Sequence, residues 1–477
     1  MALTGDTSIL KKRLLLAFVA PPGFDKVSPP LGLLYIAAYL RERFALDICV
    51  LNQRVEGWSS ERLVKEIIAF EPDIVGLGCM TPSAYALPEI TRALRVALPD
   101  TLIALGGPHV SAFGAAALAA TDAHIAVVGE GEIAMEQIVR AHIEGGAMSD
   151  IPGLIRRDAD GEIVVNPGTI PLIQELDTLP MPAYDLIDLR SYWRQASFVL
   201  FAGRKYLSLF SSRGCPYGCM YCHNVFGRRF RAHTAERIVE EVSWAIKQFG
   251  VNEIEFVDDC FNLTRNRVFE YSDLLQKRIG PVKTTFPNAI RADLLDAETA
   301  DALVGAGMYY TALALESGAP RIQEFIGKRL DIPKFCNATV LCAERRVFTL
   351  GFVMLGFPTE TAEEMEETIR VAAESKLHTA SISRVTPFPN TPLYRYVSEH
   401  SPEKLANLSY NELNFWRMKV NLSSESDEIF DEIMATAYRS FYLRPGRLYR
   451  ILRDYPKPWQ IPFHGLDFLK RARLWSR

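Results

Sequence analysis

The chain has 477 residues, enough for two or three domains that each bury their own core. Charged residues make up 23% and apolar residues 48%, and the formal charge is −4, a balance that describes a globular protein and excludes a global basic field for nucleic acid. The longest apolar runs, such as 14–22, fall short of the ~20 residues a membrane-spanning helix needs, and the N-terminal stretch lacks the basic, apolar and cleavage-site succession of a signal peptide, so a cytoplasmic location is expected.

Residues 1–146 alternate strand and helix signals, which predicts an α/β fold with a five-stranded, doubly wound, flavodoxin-like sheet. Strands are expected at 14–20, 47–51, 73–79, 101–105 and 124–128, and helices at 31–44, 60–70, 86–97, 112–120 and 132–144. Ligands bind such sheets beyond the carboxyl ends of the strands. Distinctive residues stand there: Pro21 to Gly32 after the first strand, Met80-Thr-Pro-Ser83 after the third, Gly106-Gly-Pro-His109 after the fourth and Gly129-Glu-Gly-Glu132 after the fifth. Paired glycines admit close approach of a bulky ligand because they carry no side chain.

Residues 147–196 are proline-rich, with Asp158-Ala-Asp-Gly161 as a turn between two short strand-like pieces, and predict an extended linker. Residues 197–400 alternate again, with strands expected at 206–210, 253–257, 284–289, 310–315, 349–355 and 379–385, giving a partial (β/α)6 barrel open on one side. Helices are expected between them, at 234–249, 265–277 and 362–375 among others. Function should concentrate at the carboxyl ends of these strands. Residues 401–477 predict a helical tail with a basic, aromatic end that could lie on an anionic membrane surface or cap the barrel.

The most informative segment lies directly after the first barrel strand. Cys215, Cys219 and Cys222 form a C-x3-C-x2-C array, and thiolates at such spacing can wrap one iron–sulfur cluster. Three ligands on a four-iron cube leave one iron open to a substrate or cosubstrate. Other readings stay open at this level. Zinc could take the three thiolates and His223, the run Cys219 to His223 fits covalent haem attachment, and Cys219 with Cys222 could be a redox dithiol. The last two leave Cys215 unexplained. The remaining cysteines, Cys49, Cys79, Cys260, Cys336 and Cys342, are scattered and expected to be buried free thiols.

The array, with Tyr221 before its last cysteine, resembles the cluster motif of the radical S-adenosylmethionine (SAM) superfamily. The resemblance implies a [4Fe–4S] cluster held by Cys215, Cys219 and Cys222, with SAM on the unique iron and reductive cleavage to a 5′-deoxyadenosyl radical. It also implies SAM contacts from Asp258 and Asp259 after the second barrel strand, Asn288 on the third, Glu316 and Ser317 in an E-S-G segment after the fourth, and Arg384 on the sixth. Arg291 is a further candidate for SAM or substrate, or a structural ion-pair partner. His223 and Arg213 could tune the cluster through hydrogen bonds, and Tyr217 would cover it. The Gly351 to Pro358 strand and turn and the Thr386 to Tyr394 segment match further elements of the superfamily, although Asn390 stands where glycine is more usual.

Joined to such a core, the first domain resembles the cobalamin-binding domain of one branch of that superfamily. The resemblance places the nucleotide tail along Thr81, Ser83, Gly106 and Gly107, with Gly129 and Glu130 nearby. Many such domains carry D-x-H-x-x-G after the first strand, but the loop from Pro21 to Gly32 contains no histidine, and Asp122-Ala-His124 stands before the fifth strand instead. No histidine ligand to cobalt is expected from that loop. The implied activity is methyl transfer from methylcobalamin to an unactivated carbon of a small-molecule substrate, with an electron donor such as flavodoxin or ferredoxin. A cyclase, rearrangement or oxidation enzyme with the same cofactors is the enzymatic rival, and a cofactor-binding sensor without turnover the non-enzymatic one.

Overall fold

The computed structural model describes residues 12–462 apart from 24–25, 196, 200, 202, 224, 407, 409–412 and 414–417. The N-terminal stretch and the basic end from Lys470 to Arg477 lie outside the described residues, as do two positions of the loop Pro21 to Gly32. The described residues of 1–25, 29–174 and 178–191 form one compact unit, and those of 26–28, 175–177 and 192–477 a second. Among the described residues no helix is long and apolar enough to cross a membrane.

In the first unit, β1 (Lys12–Val19), β2 (Leu46–Asn52), β3 (Ile74–Cys79), β4 (Leu102–Gly106) and β5 (Ile125–Ala126) pair in parallel in the order β2-β1-β3-β4-β5. This is the flavodoxin-like order, with its switch point between β1 and β3. Helices cover both faces, so β3 is buried at every position, and Leu15, Ile90 and Ile103 are wholly enclosed.

The sheet is wider than its five expected strands. β6 (Ile155–Arg157) and β7 (Ile163–Val165) form a hairpin that pairs antiparallel with β5, making seven strands where an extended linker is expected from sequence. Asp158 builds its turn by accepting hydrogen bonds from Asp160 N and Glu162 N at 3.0 and 2.9 Å. The single helix expected at 112–120 is two short ones, Gly107–Phe113 and Ala115–Ala119, broken at Gly114, whose φ of +54° no ordinary helical residue adopts.

In the second unit, β8 (Tyr206–Leu209) is followed by a two-residue ribbon of β9 (Ser212–Arg213) and β10 (Arg231–Ala232). Then come β11 (Glu253–Phe256), β12 (Lys283–Ile290), β13 (Met308–Glu316), β14 (Phe348–Leu355) and β15 (Thr379–Arg384). Six parallel strands in the order β8-β11-β12-β13-β14-β15 make an open barrel segment.

The described residues of the tail secure the edge and side of the sheet, and Val420 and Leu422 pack in one apolar cluster with Met220 and Tyr221 of the cysteine loop. The helix Asp427–Tyr442 packs on the helix Ala362–Glu374 and on β15. Tyr438 OH donates to Ile382 O at 2.9 Å, and Tyr442 OH accepts from Ala380 N at 3.1 Å and donates to Ala380 O at 3.2 Å. Two tyrosines one helical turn apart thereby occupy backbone groups that an edge strand otherwise leaves open for aggregation.

Candidate active site at the strand ends

The loop that carries the three cysteines is closed at its base by the β9–β10 ribbon, where Arg231 pairs with Arg213 and Ala232 with Ser212. Gly214 has φ +83°, and Cys215 N donates to Gly227 O at 3.3 Å. The far side of the loop is docked on two helices by backbone bonds: Met220 N donates to Ile326 O, and Leu393 N to Met220 O, both at 2.9 Å. Cys219 is buried, Cys215 half-buried and Cys222 exposed, and none is in a disulfide. The hydrogen bond from Cys222 and the nearby Lys328 ammonium hold the Cys219 thiol down at about 6, whereas burial raises Cys215. Among the described residues no three His, Cys, Asp or Glu side chains converge on a single-ion position. Three free soft thiols on one braced loop are the donor set an iron–sulfur cluster takes.

Around this loop, the backbone is strained where the strands end. Ala289 at the end of β12, Glu316 at the end of β13, Thr359 after β14 and Asn390 after β15 have φ of +83°, +64°, +66° and +62°. Non-glycine residues seldom adopt this conformation, and such strain collects at functional sites. Asparagine is among the residues that tolerate it best, which accounts for Asn390 at a position where glycine would be usual.

The expected SAM contacts separate into two groups. Asp259 is exposed to solvent, and burial of its surroundings together with the neighbouring Asp258 pushes its carboxyl up to about 6. Asn288 is also exposed and donates to Val257 O at 2.8 Å, and Glu316 meets the Lys328 ammonium at 3.1 Å. These three stand at consecutive strand ends. Asp258, by contrast, is buried and accepts from Ser211 N, Ser211 Oγ and Ser212 Oγ at 3.2, 2.8 and 2.5 Å. Its carboxylate braces the entry to the cysteine loop. Ser317 is wholly buried against Thr368, Oγ to Oγ1 3.1 Å. Arg384 turns to the tail, donating to Lys419 O at 2.8 Å and pairing with Asp431 at 2.5 Å.

Tyr217 lies over the Arg291 guanidinium, 3.6 Å from ring centroid to Cζ, and Arg291 pairs with Asp293 at 2.7 Å. Arg291 is therefore a partner of the loop. His223 packs edge-on against Phe388 at 5.4 Å, and its buried Nε2 has no hydrogen-bond partner among the described residues. Lys328, a nearly buried cation beside the cysteines, gives no signal in the sequence beyond its place near the E-S-G segment.

In the first unit, β3, β4 and β5 lie side by side, so their carboxyl ends form one edge. A Cβ on Gly106 would meet nothing within 4 Å, so open space lies in front of it, whereas one on Gly107, at φ +84°, would touch Cys79 N and O at 3.4 Å. Thr81 and Ser83 are buried in the turn after β3, and Gly129 N donates to Ser111 Oγ at 3.0 Å. Glu130 is engaged structurally, accepting from Ile173 N at 3.0 Å. Met80, Tyr85 and Val128 are exposed at this edge at 48%, 57% and 38%, an apolar rim around the glycine gap that the sequence patterning does not reveal. A gap of this kind fits the tail of a bulky cofactor. His124 lies at the amino end of β5, where its Nδ1 accepts from Ile103 N at 2.9 Å.

Residues 24–139 match the B12 binding domain model and residues 209–372 the Radical SAM superfamily model. An uncharacterised methyltransferase of Pyrococcus horikoshii is 31% identical over 93% of this chain and 92% of its own length. The chain belongs to the cobalamin-dependent radical SAM family. Its relatives in this family also include the anaerobic magnesium-protoporphyrin IX monomethyl ester cyclase of Rubrivivax gelatinosus, 25% identical over 88% of this chain and 75% of that protein. The fold agrees: the solved structure of TsrM from Kitasatospora setae, a radical SAM methyltransferase with cobalamin and a [4Fe–4S] cluster bound, superimposes with a TM-score of 0.72 at 18% identity, covering 98% of this chain and 99% of that one. The cofactors of this family are cobalamin, SAM and the [4Fe–4S] cluster, and the chain is a radical SAM enzyme.

Proposed function

We propose that this enzyme is a C-methyltransferase acting on a small-molecule substrate of apolar character. The observation that carries the reading is the braced loop of three free thiols at the mouth of an open barrel, on a chain that also has a B12 binding domain. Bound in these sites, the cofactors supply the chemistry: reductive cleavage of SAM gives a 5′-deoxyadenosyl radical, and cobalamin carries the methyl group. Cys215, Cys219 and Cys222 hold the cluster, Asp259, Asn288 and Glu316 orient SAM, Asp258 braces the cysteine loop, and Ser317 and Arg384 secure the ends of their strands against Thr368 and the tail. Thr81, Ser83, Gly106, Gly107 and Gly129 cradle the nucleotide tail, with Glu130 holding the loop beside them. Residues 1–146 serve cobalamin and residues 197–400 serve SAM. The enzyme works in the cytoplasm, takes electrons from a flavodoxin or ferredoxin, and touches a membrane surface peripherally through its tail.

Anaerobic reconstitution tests the reading. A corrinoid band together with a thiolate-to-iron band is expected, with deoxyadenosine release that any one of Cys215→Ala, Cys219→Ala or Cys222→Ala abolishes. A product heavier by one methylene supports methyl transfer. A product without that gain favours ring closure or oxidation, as the cyclase relative's name suggests. Absence of deoxyadenosine in the intact enzyme would leave only a cofactor-binding protein.

A further inference from the structure

The inward face of the helix Pro445–Asp454 carries Arg447 and Asp454, both buried, beside Ile451, which packs against the apolar cluster of Phe348 and Tyr455. Arg447 donates from Nε to Leu377 O at 3.0 Å, from Nη2 to Ala372 O, Ala373 O and Ser375 O at 3.2, 3.1 and 2.9 Å, and from Nη1 to Phe441 O. It thereby caps the carboxyl end of the helix Ala362–Glu374, whose last carbonyls have no partner within their own helix. Asp454 accepts from His378 Nε2 at 3.0 Å, while His378 Nδ1 accepts from Thr349 N at 3.1 Å. These bonds fix the rotation of the helix.

The outward face is therefore obliged to carry Leu448, Tyr449 and Leu452, exposed at 44%, 63% and 60%, with Leu443 and Trp459 flanking them at 54% and 67%. An amphipathic helix of a globular protein normally points such a stripe at the core. From Arg444 to Arg477 the sequence has nine Lys or Arg against two Asp, a net +7 in a chain whose total is −4. Arg453 lies over Tyr449 at 5.8 Å and Lys457 over Trp459 at 5.9 Å, so cations and aromatic rings share the surface. The sequence after residue 462 continues the composition, with Phe463, Phe468, Leu469 and Trp475 among Lys470, Arg471, Arg473 and Arg477.

We propose that this face docks on an anionic lipid bilayer, with the apolar side chains at the headgroup boundary and the basic residues on lipid phosphates. A second copy, or the chain's own last residues folded back, would set like charges against each other, whereas an anionic surface complements them. This deepens the peripheral contact of the functional reading and is independent of its chemistry, so either can fail without the other.

The test is sedimentation of the full chain with phosphatidylcholine vesicles, with and without phosphatidylglycerol. Binding is expected only with the anionic lipid, weaker at high salt, and at least tenfold weaker for Leu448→Ser/Tyr449→Ser/Leu452→Ser, with deoxyadenosine release unchanged. Hydrogen exchange of the unaltered chain should show vesicles protecting residues from about 443 to the end of the chain and no other surface, a measurement that stands even if the triple variant misfolds. A chain that stays in the supernatant, a folded variant that pellets like the original, or protection elsewhere overturns the proposal. So does a concentration-dependent dimer that the variant abolishes, which would assign the face to a second copy.

Discussion

A Cβ on Gly214 would overlap Arg229 O and lie 2.9 Å from Gly227 O, at a φ of +83° that already strains any side chain. Both neighbours are backbone atoms and cannot rotate away. Gly214→Ala should therefore displace the cysteine loop, at a strain of about 1–3 kcal/mol, and lower iron per chain after reconstitution by roughly tenfold; full iron loading would show that the loop yields. A different residue-scale effect is expected at Glu241, a fully buried carboxyl whose nearest cation, Arg237, is 3.8 Å away. Burial pushes it up to about 7 from 4.5. The unfolded chain releases this proton near 4.5 and the folded one only near 7, so stability falls as pH rises through that window. Glu241→Gln removes the penalty. Its melting temperature should equal that of the original near pH 4.5 and exceed it above pH 7, by an amount equivalent to at most about 3 kcal/mol; a pH-independent difference would place the effect in packing instead.

At the scale of elements, hydrophobic periodicity made the barrel strands and most helices legible, because apolar runs bounded by turn residues have few other uses. It could not show which free edge a short segment would join. Ile155–Arg157 and Ile163–Val165 lie in proline-rich surroundings, and only the unpaired side of β5 gives them a place in the sheet. Polar partners were equally hidden, since long-range packing chooses them: Asp258 faces two serines, Arg384 faces the tail, and Lys328 reaches Glu316 from twelve residues away. The cysteine array was readable because its ligands are local. Arg447 is the clearest hidden element-scale device, one side chain capping a helix that ends more than seventy residues earlier. Arg447→Met keeps the stem and removes the donors, leaving several buried carbonyls unpaired. Urea unfolding should show a loss of about 3 kcal/mol, with the slope of the transition unchanged; a loss below 1 kcal/mol would mean that water replaces the guanidinium.

At the scale of the molecule, the two compact units each enclose an apolar core, and a unit with its own core tends to unfold cooperatively by itself. Each cofactor belongs to one unit in the proposed reading, so ligands should report on the units separately. A ligand that binds only the folded form, present at about 100 times its dissociation constant, stabilises that form by about 2.7 kcal/mol. For a unit of this size that is a rise of roughly 5–10 °C in its transition. Calorimetry of the cofactor-free chain should show two transitions. Added hydroxocobalamin should raise one of them, and reconstitution of the cluster should raise the other. If one transition moved with both ligands, the units would be thermodynamically coupled, and occupancy of the corrinoid site would then alter the stability of the cysteine loop.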